Sequence, residues 1–288
     1  MRLGVTGANG LLGSTIFKLA KSNGFEVEGI SRESICVGGD LLRDSLRNKA
    51  IDVLVHCAAN TDVEECETEK LKCYDDNIAL TEKLALACRK NNIKLVFVSS
   101  VGIYGDYQET PYCEYDPICP TTIHHYSKWS AEKIVENLVE ESLIIRTGWL
   151  FGGDWDMKKN FVSNRIKEAI SSNGEIMSNT SQRGNPTYCY DVAEKIFELL
   201  KMDCVGIFNC VNEGFASRFE YVSEIIRLSK IKVEVVPTKG EDFCRVAKVS
   251  NNETAINFKL KSFGIKTLPH WKESLGRYLT SINYKYDA

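Results

Sequence analysis

Apolar residues along the chain gather in short runs, separated by longer stretches in which they recur at helical spacing. Leu3–Thr6, Glu26–Ile30, Val53–His56, Leu95–Ser99, Leu143–Arg146 and Gly206–Val211 read as strands. Between them, Asp75–Lys90 sets Leu80, Leu84 and Ala87 on one face, and Ser127–Leu138 is a second helical stretch. Alternating strands and helices predict an α/β fold with a doubly wound parallel sheet. From about Phe151 the pattern loosens into glycine, asparagine and charged segments, with short helices at Asp191–Leu200 and Phe219–Leu228. That part reads as a smaller lobe, and a ligand belongs in the crevice at the carboxyl ends of the strands.

The first strand runs into Gly7-Ala8-Asn9-Gly10-Leu11-Leu12-Gly13 and then the helical Ser14–Ala20. Gly7 permits a tight turn, Gly10 lets backbone approach a pyrophosphate, and Gly13 lets the helix pack close to the strand. Asn9, Leu11 and Leu12 complete a turn whose free N–H groups suit phosphates. The next strand, Phe25–Ile30, arrives at the spacing of a βαβ unit and ends in Ser31-Arg32. A hydroxyl and a planar cation there favour NADP(H) over NAD(H), with NAD still possible. The alternative makes Arg32 a solvated loop residue and gives the ribose to Glu28 or Glu33, with Asp40 and Leu41 at the adenine edge. After the third strand, the small residues Cys57, Ala58 and Ala59 let backbone pass close to a flat ligand, while His56 reads as strand-end packing. The expected division is residues 1–150 as a dinucleotide-binding domain, with 187–212 returning to it, and 151–186 and 213–288 as the substrate lobe.

A formal charge of −3 over 288 residues gives no footprint for nucleic acid or an anionic membrane. No apolar run reaches bilayer length, and the first strand begins at residue 2, so no leader or membrane anchor is expected. The eleven cysteines form no Cys-x-x-Cys pair and the histidines do not cluster, so reduced thiols, no metal site and a cytoplasmic setting are expected.

Further on, Val98-Ser99-Ser100-Val101-Gly102-Ile103-Tyr104-Gly105 resembles the extended short-chain dehydrogenase/reductases, with Ser100 at the catalytic Ser or Thr position. Arg146–Gly152, Asn160-Phe161-Val162, Gln182–Thr187 and the segment from Gly264-Ile265 through Pro269–Leu275 are similar to the dTDP-4-dehydrorhamnose reductase family. The resemblance spans nearly the whole chain and implies NADPH-dependent reduction of a 4-keto-6-deoxy nucleotide sugar. A homo-oligomer is compatible with it. In that family a tyrosine acts as general acid, and a lysine four residues on binds the nicotinamide ribose and lowers the tyrosine's pKa. Lys128 matches the lysine, but His124 holds the tyrosine's place. His124 is a working acid compromised by Lys128 and nicotinamide, or a relic in a non-catalytic subunit that binds cofactor and nucleotide sugar, or else an irregular turn lets Tyr126 reach the site. Val101-Gly102 stands where a sugar 4,6-dehydratase needs an acid pair, which argues against dehydration. Thr61, Tyr104, Trp149 and Arg183 are candidate sugar or nucleotide contacts.

Overall fold

The computed structural model describes residues 1–37, 39–240 and 245–282. Six strands, β1 (Arg2–Thr6), β2 (Glu26–Ile30), β3 (Val53–His56), β4 (Lys94–Ser100), β5 (Ser142–Thr147) and β6 (Gly206–Asn209), form one sheet in the order β6-β5-β4-β3-β1-β2. All five pairings are parallel. The strand order reverses between β1 and β3, so the crevice of a doubly wound sheet opens beside the glycine turn that follows β1.

Side-chain alternation divides the core between the two faces of the sheet. Val53, Val55, Leu143 and Ile145 pack on one side with Leu12 and Ile16 of the Leu11–Ala20 helix and with Ile196 and Phe197 of the Cys189–Lys201 helix. Their neighbours Leu54 and Ile144 pack on the other side with Leu46, Leu84 and Val135. A third apolar cluster, built on Phe151, Ile166, Tyr221, Trp271 and Tyr278, lies under the later part of the chain. Small two- and three-stranded sheets connect that part, among them Arg183–Gly184 between Ala216–Ser217 and Asn252–Glu253.

Several helices depart from the apolar pattern at their ends. The helix expected over Ser127–Leu138 begins at Ile123, because the Thr122 hydroxyl accepts from His125 N at 3.2 Å and caps it. The helix expected to be continuous over Asp75–Lys90 opens with a π turn, Asp75–Ala79, before the regular Leu80–Asn91. Among the described residues no helix is long and apolar enough to cross a membrane.

Candidate active site

A cleft of about 1340 Å³ opens at the carboxyl ends of β1, β3, β4 and β5. Its floor is the glycine turn. Gly7 has φ +67°, and a Cβ on it would lie 2.8 Å from Ala58 N; one on Gly13 would lie 2.1 Å from the Gly7 carbonyl oxygen. The Leu11–Ala20 helix starts at Gly10 with no side-chain cap and no acidic residue in its first turn. Its first N–H groups and positive dipole end are therefore left for an anion. Asn9 and Leu11–Gly13 line the same cleft, as do Cys57, Ala58 and Ala59. The cradle that a Cβ would fill, the uncapped N-terminus and this small-residue wall fit a dinucleotide. His56, as the strand pattern implies, is core: it lies between Thr6 Oγ1 (2.7 Å) and Thr81 Oγ1 (3.0 Å), and burial with nearby Lys128 pushes its pKa down to about 3.

At the end of β4 the Ser100 Oγ accepts from Gly102 N at 3.1 Å, which leaves its proton free to donate into the cleft. The capped helix starting at Ile123 places His124 and Lys128 one turn apart, both facing the cleft. His124 Nδ1 donates to the Asn60 carbonyl at 3.0 Å, fixing that tautomer and leaving Nε2 as an acceptor. Burial first, then His125 and Lys128, hold the His124 pKa well below the usual imidazole range. The ring is neutral at pH 7. Lys128 lies 4.1 Å over the Phe97 ring, and burial, opposed by Glu132, lowers its pKa to about 8. Because the helix is regular here, Tyr126 points elsewhere, to Tyr74 and Trp129, and is 44% exposed. It does not line the cleft.

The opposite wall carries Trp149, Gln182, Arg218 and Glu253. Trp149 has φ +44°, a strained conformation for an aromatic residue. It is held there by Nε1 donating to Glu253 Oε2 at 2.7 Å and by the Arg218 guanidinium 3.4 Å over the ring. Gly184 leaves the room: a Cβ on it would lie 2.4 Å from that ring. Burial lowers the Arg218 pKa to about 10, still a cation. Thr61 also lines the cleft and accepts from Lys159 Nζ at 2.5 Å.

Other candidates lie away from the cleft. Tyr104 is 0% exposed, with its hydroxyl donating to Asn209 Oδ1 at 2.8 Å and accepting from Arg146 at 3.0 Å, so it is core and does not line the cleft. Arg183 turns to the Glu109 carbonyl at 3.4 Å and does not line the cleft. Asp40 pairs with Arg43 at 3.0 Å on a helix surface, and Leu41 is 68% exposed beside it; neither reaches the cleft. Ser31 caps the Arg32–Cys36 helix, and Arg32 pairs with Asp76 while remaining 62% exposed. Both sit just past Ile30, which is in register with Thr6, one strand from the glycine turn. The sequence reading missed His125, Gln182, Arg218 and Glu253 as cleft residues. The His124-His125 pair was a local signal for His125, and Gln182 opens the Gln182–Thr187 motif.

A description of the RmlD substrate binding domain matches residues 1–284. The chain belongs to that family. It is 29% identical over 276 residues to the spore coat polysaccharide biosynthesis protein SpsK of Bacillus subtilis, covering 96% of this chain and 95% of the relative. A dTDP-4-dehydrorhamnose reductase from Clostridium acetobutylicum superposes with TM-score 0.93 at 28% identity, covering 98% of this chain and all (100%) of that one. The Bacillus anthracis dTDP-4-dehydrorhamnose reductase, solved in complex with NADP, superposes with TM-score 0.92 at 26% identity over 97% of this chain and 99% of that one. Family membership rests on most of the chain rather than on the glycine turn alone.

Proposed function

We propose that the chain is a nucleotide-sugar oxidoreductase that reduces a 4-keto-6-deoxy nucleotide sugar with NADPH. The observation that carries this reading is the convergence of Ser100, His124 and Lys128 on one cleft with the glycine turn. The reductases it resembles, one of them bound to NADP, support it. Gly7, Gly10 and the first turn after Gly10 would hold the diphosphate, Cys57–Ala59 would flank the flat rings, and Arg32 would meet the 2′-phosphate. When bound, the cofactor supplies hydride to the sugar carbonyl carbon.

This chain's residues then handle the oxygen. The Ser100 hydroxyl donates to the carbonyl oxygen, stabilising negative charge as it develops. The proton comes from Lys128: its ammonium is buried one turn from His124, and its pKa of about 8 leaves it protonated at pH 7 yet the more acidic of the cleft cations Lys128 and Arg218. His124, neutral and with its one N–H on Asn60, does not donate. Trp149, Thr61 and the cations Arg218 and Lys159 would hold the sugar and its diphosphate. In the second reading the chain binds cofactor and nucleotide sugar without turnover as a regulatory subunit, favoured by a ring nitrogen without a proton where the family has a phenol. Absorbance at the NADPH band separates the two: oxidation that requires a 4-keto nucleotide sugar supports the reductase, and binding without oxidation at any pH supports the subunit.

A further inference from the structure

Gly102 has no Cβ because the His125 imidazole occupies the space; a Cβ there would lie 2.2 Å from His125 Nε2. The ring therefore lies flat on the backbone just past Ser100, in the wall of the cleft. Its Nδ1 is buried without a hydrogen-bond partner among the described residues, and its Nε2 faces Glu253 Oε1 at 4.0 Å, beyond hydrogen-bond reach. The other carboxylate oxygen is committed to Trp149 Nε1, so the group is fixed in orientation. His125 and Glu253 are only 6% and 8% exposed.

We propose that His125 and Glu253 form a subsite for one sugar hydroxyl, which accepts from the imidazole N–H and donates to the carboxylate, and that this contact selects the sugar. The proposal rests on reading the cleft as a nucleotide-sugar site. The carboxylate draws the imidazole proton to Nε2, giving one donor and one acceptor 4.0 Å apart. An oxygen seated beside them reaches both at ordinary hydrogen-bond length, about 2.8 Å from each. Only a group that both accepts and donates satisfies the pair. A ketone cannot donate, a methyl does neither, and an ammonium cannot accept and would also face the Arg218 and Lys128 cations. The subsite's place beside Ser100 puts the chosen hydroxyl near the reacting carbonyl.

The test is calorimetric titration of the NADPH-loaded protein with dTDP and with dTDP-L-rhamnose, for the unaltered chain, Glu253→Gln and His125→Phe. Glu253→Gln keeps an oxygen for Trp149 and turns its amide N–H groups toward His125, removing the acceptor; His125→Phe keeps the packing on Gly102. Each variant should melt as the parent does, bind dTDP within about twofold of it, and lose about tenfold or more for dTDP-L-rhamnose. Unchanged affinity for dTDP-L-rhamnose in both variants, or equal losses for dTDP and dTDP-L-rhamnose, overturns the subsite and leaves the proposed reaction standing. The expected losses without NADPH oxidation on any 4-keto sugar overturn the reaction and leave the subsite standing. An unaltered chain that takes neither nucleotide overturns both.

Discussion

Replacing Lys128 with methionine separates what this residue does for chemistry from what it does for the fold. The residue is 4% exposed, and its amine forms no ion pair among the described residues, with Phe97 beneath it. A fall from 10.5 to about 8 means that burying the charged form costs about 3 kcal/mol relative to the unfolded chain. Below pH 8 both states carry the proton and the cost is present in full. From pH 8 to 10.5 the unfolded state binds more protons than the native one, so stability rises with pH across that window. Methionine fills similar volume with no charge, so Lys128→Met should gain about 1–3 kcal/mol at pH 7 and lose the rise between pH 8 and 10.5. The same substitution removes the proton source and should lower kcat about 10²- to 10⁴-fold. Urea unfolding at several pH values, with NADPH oxidation on the same samples, reads both. A variant that is less stable than the parent at pH 7, or that keeps its turnover, would refute the reasoning.

His124→Tyr restores a phenol one turn before Lys128 and should raise turnover about tenfold or more. His124→Ala should change it little at pH 7, which steady-state NADPH oxidation checks. Arg32→Ala should weaken NADPH about tenfold and NADH hardly at all in calorimetry, because Asp76 steadies the guanidinium while one side stays open to solvent. Equal affinity of the unaltered chain for the two cofactors would remove that basis.

The sheet was legible because most of its strands are short apolar runs, with the mixed Glu26–Ile30 found at the spacing of a βαβ unit, and all six expected strands are present within a residue or two. The glycine turn was legible for the same local reason, and the clashes a Cβ would make at Gly7 and Gly13 give its physical basis. The start of the His124 helix was missed because apolar spacing is silent over Ile123–Tyr126, where the Thr122 cap decides. Tyr104 misled because its place after Ser100 suggested a ligand contact. Arg146, which also pairs with the fully buried Glu132 at 2.8 Å, holds the hydroxyl in the core. Glu253 was illegible because it reaches the cleft on a short strand that pairs with Arg183–Gly184, far away in sequence. That Lys128 depresses the His124 pKa could be read from their spacing; burial, the larger cause, and His125 could not.

In the proposed reaction this cleft reduces a nucleotide-sugar ketone with a proton from Lys128 rather than from His124. The pH dependence of kcat/KM for NADPH oxidation with a dTDP-4-keto-6-deoxy sugar distinguishes the two proton sources. With Lys128 as the proton source the rate is flat from pH 6 to 7.5 and falls about tenfold per pH unit above about 8, because the His124 imidazole is already neutral and the Lys128 ammonium is being lost. A rate that falls through pH 6 to 7, as a working imidazolium requires, or no oxidation at any pH would contradict it.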